Sequence, residues 1–281
     1  MKPLVSFLTV TFSHEPYIRR CIEGVQAQTL KNWEMVIVDD DSTDKTPEIV
    51  QSIKDRRIRL VEQEHQGIWN LSKTYNNGLL HCSGKYIAVL DGDDFSYPQR
   101  LEKSLEAIGD NVAVCGRADV LDKDGNKLRV VPPDKSMFQC SSHVMLTGCH
   151  FSSCTYMVRK ESLMAVGGFQ KPSAGIACDY ATWLALLGKG EIAYIDDVLG
   201  AWVQHGNNAT SMYGQYARLD LDAMRAFRSW SKTLQKESGW TLMTLKFFWA
   251  KIRFRQKVRS HLRILRNSIF FPFPNFKEVK P

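Results

Sequence analysis

No stretch of the chain approaches the ~20 consecutive apolar residues that a membrane-spanning helix needs, although 44% of its 281 residues are hydrophobic. Paired cysteine motifs are also lacking. The seven cysteines, at 21, 82, 115, 140, 149, 154 and 178, form an odd, scattered set with no CxxC. Cys149-His150 and Cys154 have no second ligand pair to complete a zinc module, so free thiols in a reducing compartment are expected. The beginning, Met1-Lys2-Pro3-Leu4, is read as running straight into a strand rather than as a secretory leader. There is no internal repeat, and no glycine- and lysine-rich phosphate loop after the first strand, where Thr11-Phe12-Ser13-His14-Glu15 stands instead. These absences predict a cytosolic globular protein of roughly one to two domains.

Most of the chain is also short of net charge. Lys246, Lys251, Arg253, Arg255, Lys257, Arg259, Arg263 and Arg266 are eight cations in a stretch with no acid, and removing them from the formal +7 leaves the remainder at −1. Such a near-neutral body offers no basic groove for nucleic acid, which is excluded from the expected partners.

What the sequence does contain is strand and helix in alternation. Val5 to Phe12 reads as a strand, and Tyr17 to Gln28 as a helix with Ile18, Cys21, Ile22 and Val25 at helical spacing. Glu34 to Val38 is a second strand, and the helix after it is expected to start with Thr46 as cap and Pro47 at its first position. Ile58 to Val61, a loop and helix over Gly67 to Cys82, and the strand Tyr86 to Leu90 follow. This order predicts a mostly parallel α/β sheet flanked by helices. Beyond Pro98 the pattern loosens into a helix (Leu101 to Ile108), a short strand (Val112 to Cys115) and a hairpin turning at Asp124-Gly125. Pro132 to His150 is read as a loop bordering the site. Ser153 to Val158 is taken as a strand, Glu161 to Val166 and Asp179 to Leu187 as helical, and Ile192 to Ile195 and Leu199 to Val203 as two more strands.

Two of the strands end in acid: Asp39-Asp40-Asp41 and Asp91-Gly92-Asp93-Asp94. In an open α/β sheet the carboxyl ends of strands form the ligand crevice, and so much negative charge there calls for a cation. A divalent metal carrying a phosphate-bearing ligand fits; a solvated acidic turn is the plainer alternative.

The segments Val5 to Phe12, Val38-Asp39-Asp40-Asp41-Ser42-Thr43-Asp44, Gly84 to Asp94, Val166-Gly167-Gly168-Phe169, Cys178-Asp179-Tyr180 and His205-Gly206-Asn207-Asn208-Ala209-Thr210 resemble, in this order, the family-2 glycosyltransferases of the GT-A fold. The resemblance spans Val5 to about Thr210. It implies a GT-A catalytic domain over 1–212, with a nucleotide-binding half (1–98) and an acceptor-side half (99–212); the residues beyond it, 213–281, are expected to form a basic helical extension. It implies a nucleotide-sugar donor, a UDP-sugar by expectation, a glycan or lipid-linked acceptor, Mn²⁺ or Mg²⁺, and inversion at the transferred carbon.

Residue by residue, the resemblance makes Phe12 a wall and Asp40 an acceptor for uracil. Asp91 would meet the ribose or sugar, Asp93 and Asp94 the metal, and Asp179 would act as base. His205 would reach the metal or diphosphate. Each has a plainer alternative: Phe12 as core, Asp39 to Asp41 as a capping turn, His205 as a structural histidine. Two departures stand out. Cys178 replaces the glutamate usual before the base, and Val203 stands where an arginine is common. Lys73 is then a candidate diphosphate partner by position alone, against the alternative of a solvated lysine. Trp69 can stack on a sugar or simply pack.

At helical spacing, the basic residues of 240–273 face Leu245, Phe248, Ile252 and Val258, as in an interfacial helix. Anionic lipid at the inner face of the plasma membrane is the expected partner; packing on the catalytic body, an oligomer contact and, ranked lowest, nucleic-acid binding are the alternatives. A nucleotide-sugar-binding protein without transfer activity is the competing functional reading.

Overall fold

The computed structural model describes residues 2–132, 149–173, 175–210 and 219–229. Strand β1 (Val5–Thr11) is buried at every position, as expected of a strand covered on both faces. Helix α1 (Ile18–Gln26) covers it with Ile18, Cys21, Ile22 and Val25. Then come β2 (Trp33–Asp39), α2 (Thr46–Ser52), β3 (Ile58–Glu62), a short 3-10 turn (Ile68–Asn70), α3 (Leu71–His81) and β4 (Tyr86–Val89). Strands β3, β2, β1 and β4 lie side by side in that order, all parallel. The chain therefore winds outward from β1 in one direction and then returns to its other side, which leaves a crevice at the carboxyl ends of β1 and β4. Gly78 lets α3 close on this sheet: a Cβ there would lie 2.4 Å from Leu8 Cδ1 and 2.6 Å from Val38 Cγ2.

The second half extends the same sheet with mixed directions. After β5 (Phe95–Ser96) and α4 (Arg100–Ile108) come β6 (Ala113–Asp122), β7 (Lys127–Val131), β8 (Met157–Arg159), α5 (Lys160–Ala165), α6 (Cys178–Leu187), β9 (Ile192–Gln204) and α7 (Leu219–Ser229). β8 runs antiparallel to both β4 and β6, β9 is parallel to β6, and β5 closes the edge antiparallel to β9. Helix α7 packs on α6 and buries Ala223 and Phe227, and Asp222 accepts a hydrogen bond from Ser173 N at 2.6 Å.

Several sequence expectations are corrected. The short strand at 112–115 and the first arm of the hairpin are one ten-residue strand, and the two strands after Ile192 are one of thirteen. Register shifts at Gly116, Arg117 and Ala118 let these two strands stay paired through the polar residues that suggested a break. Ser153 to Thr155 is a 3-10 turn before β8 rather than its start. Thr46 does not cap α2: Asp44 Oδ1 accepts both Thr46 N (3.0 Å) and Thr46 Oγ1 (2.6 Å), so that amide is satisfied from two residues earlier. Most of the 132–150 loop and all of 240–273 lie outside the described residues. All six described cysteines are free thiols.

Gln28, fully buried just past α1, ties the sheet's two halves together. Its Nε2 donates to Gly24 O, Ser96 Oγ and Tyr97 O at 3.1, 3.1 and 2.8 Å, and its Oε1 accepts Leu101 N at 3.1 Å. Gln28→Leu would strand the Leu101 amide and take the Gln28 donor from Ser96 Oγ, while Tyr97 O would keep Arg100 N at 3.0 Å. A loss of about 2–4 kcal/mol in urea unfolding is expected, and an unchanged midpoint would show that the linkage is not needed.

Candidate active site

The two acidic turns lie at the same edge but do different work. Asp39 closes its own turn, with Oδ2 accepting Ser42 N at 2.8 Å and Oδ1 accepting Ser42 Oγ at 2.5 Å. Asp40 reaches across to the 63–67 loop. Its Oδ1 accepts Gln63 Nε2 (2.6 Å) and Gln66 N (3.0 Å), its Oδ2 accepts Gly67 N (3.0 Å), and His65 Nδ1 lies 3.1 Å from Oδ2. Phe12, at the end of β1, is 44% exposed, with its ring 4.6 Å from that of His65. Phe12, His65 and Asp40 thus form one wall of the crevice.

The second turn, after β4, is packed against β1. Gly92 N donates to Val10 O at 2.9 Å, and a Cβ on Gly92 would come within 2.7 Å of Thr11 Oγ1 and 2.9 Å of His14 Nδ1. No other residue fits there. The three carboxylates then diverge. Asp91 accepts a short hydrogen bond from Tyr75 OH and lies 3.5 Å from Ser153 Oγ. Burial, reinforced by the charge of Asp93, pushes its pKa up to about 7. Asp93 Oδ2 gathers His205 Nε2 and Asn208 Nδ2, each at 3.0 Å, with His14 Nε2 at 3.8 Å. Burial works against ionisation here too, but His14 and then His205 outweigh it and hold the Asp93 carboxyl below the usual range. Asp94 turns inward, where its Oδ1 accepts Val203 N at 3.1 Å. Burial and its two acidic neighbours keep its pKa well above the ordinary value.

Residues distant in sequence set these positions. Arg100 is wholly buried beneath the turn, its Nη2 donating to Val89 O (2.8 Å) and Tyr156 O (2.9 Å), and burial lowers its pKa to about 10. His205 stacks on Tyr17 at 4.6 Å, and Asn208 also donates to Val203 O at 3.0 Å. Tyr75 stacks on Phe169 at 4.7 Å, and Asn76 grips the Phe169 backbone in both directions, at 2.8 and 2.9 Å. This last contact explains the glycine pair. Gly167 and Gly168 adopt φ +86° and +80°, which admit a tight turn delivering Phe169 to α3. Asp179 occupies the first turn of α6 and is half-buried. Burial raises its pKa, against the opposing pull of its own and the Tyr180 backbone amides, and its charge is felt at Asp91 and Tyr75.

Of the residues singled out from the sequence, Phe12 and Asp40 share one wall, while Asp91, Asp93, Asp94 and His205 meet around the second turn. Asp179 acts electrostatically on the same cluster. Lys73 is not brought in: it is exposed on α3, with no hydrogen bond or ion pair among the described residues. Trp69 is 49% exposed in the turn leading to α3. Sequence reasoning missed His14, His65, Tyr75, Arg100 and Asn208. Asn208 lay inside a quoted motif, His14 in the stretch set aside as not a phosphate loop and Tyr75 in the loop and helix before β4, but none has a local pattern that marks it.

The donor set can be tested against a divalent ion. No group of three metal-ligating side chains forms a closed cage among the described residues. Asp93 Oδ2 and His205 Nε2 nevertheless lie 3.0 Å apart. That is the spacing of two neighbouring ligands about 2.1 Å from a shared octahedral ion. A carboxylate and an imidazole leaving several positions open suit an ion whose remaining ligands come from water and a bound phosphate. No helix among the described residues is long and apolar enough to cross a membrane.

Comparisons with known proteins bear on this geometry. Residues 6–167 match the family model described as Glycosyl transferase family 2. Over 199 residues the chain is 33% identical to TuaG of Bacillus subtilis strain 168, described as a candidate teichuronic acid biosynthesis glycosyltransferase, covering 69% of this chain and 75% of that one. Among solved structures, S. aureus TarS 1-349 in complex with UDP-GlcNAc superposes with TM-score 0.61 at 19% identity, covering 75% of this chain and 61% of that one. The mannosyltransferase PcManGT of Pyrobaculum calidifontis, in complex with GDP-Man and Mn²⁺, gives 0.58 at 20% identity over 75% and 60%. The chain thus spans three quarters of TuaG and under two thirds of either crystallised protein. The two structures establish likeness of fold, and the matched profile covers well over half of the sequence: the chain belongs to glycosyltransferase family 2 and has its GT-A fold.

Proposed function

We propose that the protein transfers a sugar from a nucleotide donor, a UDP-sugar, to a hydroxyl of a glycan or lipid-linked acceptor, with inversion and with a divalent metal. The observation that carries this reading is the convergence of Asp93 Oδ2 and His205 Nε2 beside an aromatic wall at the crevice where β1 and β4 part. The complexes of TarS with UDP-GlcNAc and of PcManGT with GDP-Man and Mn²⁺ support a nucleotide-sugar donor and a metal, and TuaG supports a place in surface-polysaccharide synthesis.

In this reading Phe12 offers a face to the base. Asp40 faces it from the 63–67 side and holds that loop in place. Asp91 meets the sugar or ribose, with Tyr75 fixing its rotamer. Asp93 and His205 hold Mn²⁺ or Mg²⁺, which when bound offsets the charge growing on the departing nucleotide. Asp94, bonded to the Val203 amide and buried over Arg100, anchors β9 rather than reaching the metal. Asp179 is the base: it takes the proton from the acceptor hydroxyl as that oxygen forms its bond to the anomeric carbon and the bond to the nucleotide phosphate breaks. Its raised pKa makes it a stronger base than a solvated aspartate. The catalytic unit occupies 1–212, and the basic segment at 240–273 rests on anionic lipid at the inner membrane face.

Calorimetric titration with UDP tests the donor site. Binding that requires Mn²⁺, and that is lost in Asp93→Ala, is expected; no binding by the wild type with or without Mn²⁺ would remove the donor reading. Asp179→Asn should release UDP from a donor and acceptor roughly 10²–10⁴-fold more slowly while binding UDP normally. Wild-type binding without turnover on any donor screened would favour a binding protein instead.

Asp91 also makes stability depend on pH. Its folded-state pKa lies above the unfolded 3.8, so the cost of ionising it is absent below about pH 4 and complete above about pH 7. In a metal chelator the thermal midpoint should therefore fall as pH rises through this window, and Asp91→Asn should flatten that fall. Superimposable wild-type and mutant profiles would show that another group is responsible.

A further inference from the structure

The acidic turn is poor in cationic partners. Among the described residues, the side chains of Asp91, Asp93 and Asp94 bond or pair with Tyr75, Ser153, His205, Asn208, His14 and the Val203 amide, with no lysine or arginine in the set. Arg100 is sealed below, its Nη2 committed to two backbone carbonyls. On the reading above, a nucleoside diphosphate would enter here. It brings more negative charge than one divalent ion offsets once Asp93 has been counted, so a further donor aimed at phosphate oxygens is needed.

His14 has the position and the vacancy. Its side chain is 19% exposed, and its Nε2 lies 3.8 Å from Asp93 Oδ2, beyond hydrogen-bond reach. Its Nδ1 is buried without a partner. The buried Nδ1 is turned toward Gly92 and stays unbonded whatever enters the crevice, so Nε2, which has no hydrogen bond among the described residues, is the nitrogen left to a ligand. The ring's place does not depend on Asp93, because the backbone around it is clamped. Ser13 N donates to Ser42 Oγ at 2.8 Å, Glu15 N to Asp44 Oδ2 at 2.9 Å, and the His14 carbonyl accepts the amides of Tyr17 and Ile18, both at 2.9 Å. Ser13 is held at φ +54° to make this turn, an uncommon conformation for a residue with a side chain. The ring packs so near Gly92 that a Cβ there would lie 2.9 Å from Nδ1, and the His205 ring stands edge-on 6.3 Å away.

We propose that His14 is a donor-diphosphate residue, presenting Nε2–H to a phosphate oxygen beside the metal held by Asp93 and His205. The assignment rests on the nucleotide-sugar reading. It differs from metal ligation by His14, which would leave the diphosphate without a protein donor.

The test is calorimetric titration of the full chain, and of His14→Ala and His14→Gln, with UDP, with uridine and with Mn²⁺ alone, the nucleotides in saturating Mn²⁺. His14→Ala should weaken UDP roughly 10-fold or more while leaving uridine and Mn²⁺ affinities unchanged, and His14→Gln, which keeps a neutral donor, should lose less. Unchanged UDP affinity in His14→Ala overturns the assignment. So does an equal loss for uridine, which would mean that the ring only supports the nucleoside wall, or a loss of Mn²⁺ affinity, which would make it a metal ligand. A wild type that binds no UDP overturns the nucleotide-sugar reading and this assignment with it, a result distinct from a binding wild type beside an unaffected mutant.

Discussion

Three carboxylates in four residues at the end of a central strand, two half-buried and one buried, are the constraint to which the rest of this structure answers. Like charges so close cannot share one low-dielectric environment, and the fold gives each a different one. Asp91 is paired with a phenol and its carboxyl is pushed toward the neutral form. Asp93 collects two imidazoles and an amide and stays ionised. Asp94 is folded inward onto a backbone amide. The result is a single ionised carboxylate directed at the crevice between two whose charge is suppressed, and that asymmetry is what a cation site needs.

Keeping this arrangement in place takes most of the second half of the chain. β9 delivers His205 and the Val203 amide, α6 carries Asp179, and the Gly167-Gly168-Phe169 turn clamps α3 so that Tyr75 reaches Asp91. Strand β8, inserted antiparallel between β4 and β6, joins this half to the parallel strands β1 to β4. The first acidic turn is spent differently. Asp39 and Asp44 organise their own backbone, and Asp40 holds the 63–67 loop, so the early carboxylates build the wall on which Phe12 and His65 meet. Similar chemistry in the sequence has been divided between architecture and site.

Local rules recovered the strands and helices of the first half closely, because β1, β2 and β4 are continuous apolar runs and α1 repeats its apolar residues at helical spacing. They failed where long-range pairing overrode local signals. The polar stretches in β6 and β9 looked like breaks, yet pairing of the two strands across a shifted register keeps each continuous. Thr46 had the composition of a cap, but Asp44 lies nearer the free amide.

The sequence by itself determined the fold class, the family and the existence of an acidic turn at a strand end, since periodicity, glycine placement and motif order are properties of neighbours along the chain. Only the tertiary structure decided which of Asp91, Asp93 and Asp94 stays charged, that Lys73 stands apart, and that His14 joins the cluster. Those outcomes depend on burial and on partners drawn from residues more than a hundred positions away, such as His205 and Asn208 on Asp93, and neither quantity exists until the sheet has closed.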